Sequence, residues 1–332
     1  MKRALIVGIN YVGTGHELRG CLNDAHNMNV LLAGQYKFDE VKLVIEKEAT
    51  TDGIKAGLEW LITGAKPGDV LVFHYSGHGS QLPSATEKDG YQEIICPIDL
   101  NWVDKVITDE TLRKIFNRVP NGVNTTVILD CCHSGTGLNQ DVSYSTSLEK
   151  LEAVTKVIVN TDPSRFLEPP EGLIAPEVDH VVDWTAERDI NSGAMLIAAC
   201  QAHQTSADAH IDGSYQGAAT AGLIKILTIK PDSTYVQLTD DLTNFMVVNG
   251  FTQRPELDGW PGLYGQKFLQ PLGAVLAEAA EAAVQELPPA TPVQPSAPEP
   301  APVTGTTSNA KNLTVIAVAA AIVLLALFVF WH

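Results

Sequence analysis

A cysteine becomes a nucleophile when a histidine stands ready to take its proton, and this chain carries both residues at the ends of apolar runs. Thr125 to Gly135 reads TTVILDCCHSG, a β-forming stretch that stops at Asp130, Cys131, Cys132 and His133 before a Ser-Gly turn. Asp69 to Ser80 reads DVLVFHYSGHGS and runs into His78 between two glycines. Apolar runs without alternation predict strands buried on both faces, as in a parallel sheet. Ligands of open α/β sheets bind beyond the carboxyl ends of the strands, where these polar clusters fall. Successive strand residues point to opposite faces, so only one of Cys131 and Cys132 can meet the histidine. Gly77, Gly79 and Gly135 are expected to free the backbone for a close-lying substrate and to leave N–H groups for an oxyanion. Singly, such a cysteine would be core and such a histidine a satisfied polar residue. Both at strand ends with glycine turns point to catalysis.

YSGHGS (Tyr75 to Ser80) and DCCHSG (Asp130 to Gly135) resemble the histidine and cysteine boxes of the metacaspases, caspase-fold cysteine peptidases. His78 and Cys132 lie 54 positions apart, close to caspase-type spacing. The resemblance implies His78 as general base, Cys132 as nucleophile, Gly79 and Cys132 as oxyanion donors, and His74 and Cys131 as non-catalytic neighbours. RGCLNDAHNM resembles the segment bordering the substrate pocket, which implies Cys21, Asp24, Ser76 and Asp130 as substrate-binding residues. Paired carboxylates attract a guanidinium or ammonium, so cleavage after Arg or Lys is expected. Gln204 to Asp208 matches the family's Gln-Thr-Ser-Ala-Asp, with His203 where an acid often stands, and QRPELDGWPG resembles its closing segment. The family commonly needs calcium. The matching positions here are Gln92, Thr108, Asp109 and Asn139, with Glu93, Glu110 and Asp141 nearby. A hard dication wants several anionic oxygens, so no cofactor is expected and activity is expected not to require calcium. A catalytically silent caspase-like membrane scaffold is the alternative; it would call for a lost nucleophile or base, and both are present.

Positioning these groups takes an alternation of strands and helices. Ala4–Ile9, Val41–Glu46, the run before His78 and the run before Cys132 read as parallel strands. Between them lie an amphipathic helix over 16–33, a helix over 51–63, EIICPIDL, and a short helix opened by Thr108-Asp109-Glu110. AMLIAAC (194–200) reads as a further strand, 217–228 and 236–248 as helices, and KFLQPL as the last edge strand. With the resemblance, this gives an α/β caspase-like fold: a mostly parallel six-stranded sheet with helices on both faces. The peptidase domain is placed at 1–272, with a large part at 1–140, an irregular insertion at 141–191 and a small part at 192–272. Lys150, Lys156, Arg165 and Arg188 in the insertion are candidate self-cleavage sites; an uncleaved cover over the sheet is the alternative.

The 332 residues carry 39 acidic and 22 basic side chains, a formal net charge of −17. That balance argues against nucleic acid and fits basic peptide substrates. The five cysteines, Cys21, Cys96, Cys131, Cys132 and Cys200, form no zinc-type pairs. Met-Lys-Arg leads straight into ALIVGI, too short for a secretory leader, so a reducing compartment is expected. Residues 273–311 are an Ala/Pro-rich linker. At 312–332, nineteen nearly uninterrupted apolar residues from Leu313 to Trp331 predict a transmembrane tail anchor. The catalytic domain, expected to be monomeric, would then face the cytoplasm.

Overall fold

Side-chain alternation along five parallel strands divides the interior into two cores. The computed structural model describes residues 1–85, 87, 90–131, 160–173, 194–201 and 204–273. The chain divides into two units at Leu287/Pro288, and every described residue lies in the first. Strands β1 (Lys2–Gly8), β2 (Glu40–Ile45), β3 (Val70–Ser76), β4 (Gly79–Pro83), β5 (Tyr91–Ile95), β6 (Ile107–Thr108), β7 (Asn124–Asp130), β8 (Asn160–Ser164), β9 (Ala194–Ala198), β10 (Ala207–Ile211), β11 (Ser214–Gly217) and β12 (Glu256–Asp258) form three sheets. The main sheet has the order β12-β9-β7-β3-β1-β2, parallel except for β12. This agrees with the expected six-stranded, mostly parallel sheet.

Ala4, Ile6, Val70 and Val72 point into one core. There they meet α1 (Cys21–Gly34), α4 (Ala218–Ile229) and α5 (Tyr235–Val248) through Met28, Leu32, Leu223 and Phe245. The intervening Leu5, Val7, Leu71 and Phe73 point into the other core, covered by α2 (Thr51–Ile62) and α3 (Asp109–Phe116) through Leu58, Leu61 and Phe116. Each such side chain larger than alanine, fully buried, contributes roughly 1.5–3 kcal/mol. Helix starts follow their caps: Thr50 accepts from the N–H of Gly53, Thr108 from that of Thr111, and Thr234 with Gln237 forms a capping box.

Three expectations are corrected, and EIICPIDL, left without a sheet by the sequence, is placed. The first helix begins at Cys21, not 16, because residues 16–20 spend their backbone groups elsewhere: Arg19 and Gly20 donate to Asp208, and the carbonyl of His16 accepts from His78. EIICPIDL supplies β5, which belongs to a small antiparallel sheet, β4-β5-β6. KFLQPL forms no strand; the edge is β12, paired antiparallel with β9. The insertion is not wholly irregular, since β8 pairs with β10 in the third sheet, β11-β10-β8. Among the described residues no helix is long and apolar enough to cross a membrane, and 312–332 lie outside them.

Gly222 tests the packing of α4 on α5. A Cβ there would stand 2.6–2.9 Å from Phe245 and Leu242. Exchanging a helical glycine regains less than the crowding costs once the side chain is branched. Gly222→Val is expected to lose about 1–3 kcal/mol of stability in urea unfolding followed by far-UV circular dichroism.

Candidate active site

The register of β3 against β7 sets the site. Ser76 pairs with Asp130, the last residue of each strand, and His78 and Cys132 each follow two positions later. Cys132 and Asn139 lie outside the described residues, as do Lys150, Lys156, Arg188, His203 and Gly135. Cys131 is fully buried in the α2/α3 core. His74 is buried on the other face, where its Nε2 lies 3.1 Å from Oγ1 of Thr220 and burial pushes the imidazole down to about 4.

His78 is held on every side. Its N–H donates to Oη of Tyr11 at 3.0 Å, its carbonyl accepts from Oη of Tyr75 at 2.7 Å, and its ring packs on that of Tyr11 with centroids 4.7 Å apart. Tyr11 adopts a left-handed backbone (φ +54°) to do this, and its hydroxyl also donates to the carbonyl of Cys96. Burial keeps both phenols protonated. Nε2 of His78 lies 2.8 Å from the carbonyl oxygen of His16. A carbonyl only accepts, so Nε2 carries the hydrogen and Nδ1 the lone pair. Nδ1 is buried without a hydrogen-bond partner. Burial pushes the imidazole below its ordinary value while the carbonyls of His16 and Arg165 pull it back. The ring is thus a neutral base with a defined basic nitrogen. Gly77 is needed for close approach, not for left-handed freedom: a Cβ there would stand 2.6 Å from Oη of Tyr75.

The pocket beside it is occupied by the chain itself. Arg165 is completely buried. Its Nη2 donates to Oδ2 of Asp24 (2.8 Å) and Oδ1 of Asp208 (2.9 Å). Its Nη1 donates to Oγ of Ser76 (2.8 Å) and the carbonyl of Asp130 (2.9 Å), with Oδ1 of Asp130 at 3.4 Å. Each acid is anchored in turn. Asp24 accepts from Ser76 and the N–H of Gly217, Asp130 from Ser206 and the N–H of Thr220, and Asp208 from the N–H groups of Arg19 and Gly20. Burial pushes the Asp24 carboxyl up to about 7 against the lowering pull of Arg165. Burial also pushes the Cys21 thiol up, so that it lines the pocket as a neutral group. A Cβ on Gly217 would collide with Asp130 and Arg165, and one on Gly20 with Asp208, so both sites admit only glycine.

The backbone of Arg165 is as constrained as its side chain. Its N–H donates to the carbonyl of Ser206 at 3.1 Å, and its carbonyl accepts from the N–H of Gly79 at 2.9 Å. The structure therefore joins the expected Asp24, Ser76, Cys21 and Asp130 around one cation and brings Gly79 to the carbonyl that follows it. Sequence reasoning gave Asp208 no role, although it closes the matched Gln204–Asp208 segment. It likewise passed over Tyr11 and Tyr75, which act through their hydroxyls, and His16, Gly20, Gly217 and Thr220, whose backbone contacts residue types do not announce.

Three of the four residues expected at a calcium site, Gln92, Thr108 and Asp109, lie among the described residues. Thr108 is committed to capping α3, and Asp109 pairs with Arg113 at 3.1 Å. Gln92 is uncharged, and among the described residues no three acidic, histidine or cysteine side chains gather as metal ligands.

With that geometry in view, comparison with known proteins locates the chain. Residues 2–141 match the family described as "Metacaspase, peptidase C14 domain". "Metacaspase-1" of Cryptococcus neoformans is 33% identical over 77% of this chain, and the chain spans 62% of that protein's length. "Metacaspase-1A" of Aspergillus oryzae is 33% identical, with 77% of this chain and 67% of that protein covered. The crystal structure of protein GSU0716 from Geobacter sulfurreducens shares the fold, with a TM-score of 0.57 over 82% of this chain and 99% of that one at 22% identity. With its histidine and cysteine boxes closing adjacent parallel strands, the chain belongs to the metacaspase family, peptidase C14.

Proposed function

We propose that this protein is a cysteine endopeptidase that cleaves after arginine, and after lysine less readily, and that the Arg165–Phe166 bond is its own first substrate. The observation that carries this reading is Arg165, seated with its guanidinium among three aspartates and its carbonyl on the N–H of Gly79 beside His78. A guanidinium uses two nitrogens on different acids, whereas an ammonium reaches them from one point, which ranks arginine first.

Nδ1 of His78 takes the proton of the Cys132 thiol, and the sulfur adds to the carbonyl carbon of the basic residue. The N–H groups of Gly79 and Cys132 hold the resulting oxyanion. Collapse breaks the C–N bond as His78 returns the proton to the departing amine, here the new N-terminus at Phe166. A water molecule, deprotonated by the same imidazole, then hydrolyses the thioester, freeing the carboxylate and restoring the thiol. No step calls for calcium, in keeping with the commitments of Thr108 and Asp109. Support for a membrane tether is compositional: Leu313 to Trp331 follows a proline-rich spacer and is apolar enough for one crossing. The catalytic domain would then face the cytoplasm.

Incubated in EGTA, the wild type is expected to split between Arg165 and Phe166, read by intact mass and N-terminal sequencing, whereas Cys132→Ala and Arg165→Gln stay whole at that bond. Cleavage elsewhere in the wild type alone would remove Arg165 from the substrate role.

Asp24 gives the pocket a pH dependence with a definite sign. Its carboxyl titrates at about 7 with arginine seated, and the arginine lowers that value, so binding a substrate arginine releases a proton. KM for an Arg-terminated fluorogenic peptide is therefore expected to fall as pH rises from 6 to 8. Asp24→Asn should raise KM by roughly 100-fold, in line with the cost of unpairing a buried ion, and flatten its pH profile.

For the tether, sodium carbonate extraction of cell membranes is expected to leave the full chain in the pellet and to release a variant ending at residue 311. Full-length protein in the supernatant would disprove a spanning helix.

A further inference from the structure

The chain continues past the Arg165 carbonyl in an ordered way that the cleavage reading does not require. β4 is the edge of the β4-β5-β6 sheet, and the segment after Arg165 lies along it. Phe166 bridges Gly79 in parallel orientation, and the N–H of Leu167 donates to the carbonyl of Gly79 at 2.9 Å. The hydroxyl of Ser80, completely buried, donates to the carbonyl of Leu167. The Leu167 side chain packs against the same core that holds Leu82 of β4, and the next residue, Glu168, is exposed. Gly79 thus serves both sides of the bond, its N–H on the residue before the scissile bond and its carbonyl on the second residue after it.

We propose that β4 is a leaving-side subsite: protein substrates add their second residue beyond the cleaved bond to its edge as a short strand. The N–H of that residue pairs with the carbonyl of Gly79, its carbonyl with Oγ of Ser80, and an aliphatic side chain covers the α2/α3 core. The inference rests on the peptidase reading and deepens it, with Leu167 as the internal copy of the substrate residue. Main-chain pairing on a free sheet edge supplies affinity, and the pocket for the side chain supplies selectivity. The subsite selects an apolar residue because a charge there would lose its hydration against buried carbon.

The test uses the full chain and substrates sharing one Arg-terminated leader. One ends in an aminocoumarin, which has no second residue; three are internally quenched peptides continuing Phe-Leu, Phe-Asp or Phe-(N-methyl)Leu. The Phe-Leu peptide is expected to exceed Phe-Asp and the N-methylated peptide in kcat/KM by about tenfold or more, the range an apolar pocket can discriminate. Ser80→Ala is expected to lower turnover of the Phe-Leu peptide about fivefold, mostly through KM. Equal rates for the three peptides, alongside normal coumarin release, would overturn the subsite and leave the peptidase standing. Coumarin release that is absent in the wild type would overturn the peptidase reading, and the subsite with it.

Discussion

The structure turns on one ion cluster, a guanidinium enclosed by three carboxylates with no access to water. Burying four charges costs several kcal/mol for each ion, and the mutual attraction recovers this only when every remaining lone pair finds a donor. Here each acid finds donors: backbone N–H groups of Gly217, Thr220, Arg19 and Gly20, and hydroxyls of Ser76 and Ser206. Those donors come from the ends of β3 and β11, the starts of α1 and α4, and the turn before β10. The cluster is therefore a check on the topology, because no two neighbouring elements could assemble it alone.

The same arrangement explains features that look arbitrary in isolation. Residues 16–20 stay non-helical because their carbonyl and N–H groups are needed by His78 and Asp208, which fixes where α1 begins. Gly20 and Gly217 stand where a side chain would displace the cluster. Tyr11 holds a strained left-handed backbone, at roughly 1–3 kcal/mol, so that its hydroxyl and ring can clamp the backbone and imidazole of His78. Buried charge is thus gathered at the carboxyl ends of β3 and β7, with the strained Tyr11 reaching in from beyond β1, while the two aliphatic cores beneath carry the stability.

How far the sequence could be read follows from what kind of signal each part leaves. The parallel strands were legible because apolar runs mark them, and α2 and α3 because a threonine marks each start, whereas α1 and α4 begin after glycines that cap through no side chain. His78 and the acids Asp24 and Asp130 were legible through their boxes. β8 was not, since NTDPS contains a proline and little apolar surface; its pairing with β10 is imposed by the arginine that follows it. β12 was missed because three residues at a sheet edge carry no periodicity. Asp208 left a signal, the matched segment it closes, but its chemistry appears only when β10 brings it to the N–H groups of Arg19 and Gly20, just before α1.

A pocket built this way has to exist without its cation as well as with it, and Asp24 is where the two states differ. With arginine present, the carboxyl titrates near neutrality because burial and the neighbouring Asp130 oppose its charge while Arg165 supports it. Remove the arginine and the opposing influences remain, so on the proposed function the carboxyl would take up a proton that a substrate guanidinium must expel. The empty pocket is then less charged than the filled one would suggest, which spares the fold the full cost of unpaired buried carboxylates. On the proposed function, substrate binding would be correspondingly steep in pH and selective for cations strong enough to displace that proton. A neutral side chain of the same length offers nothing to expel it, and so gains the contact area without the ion pair.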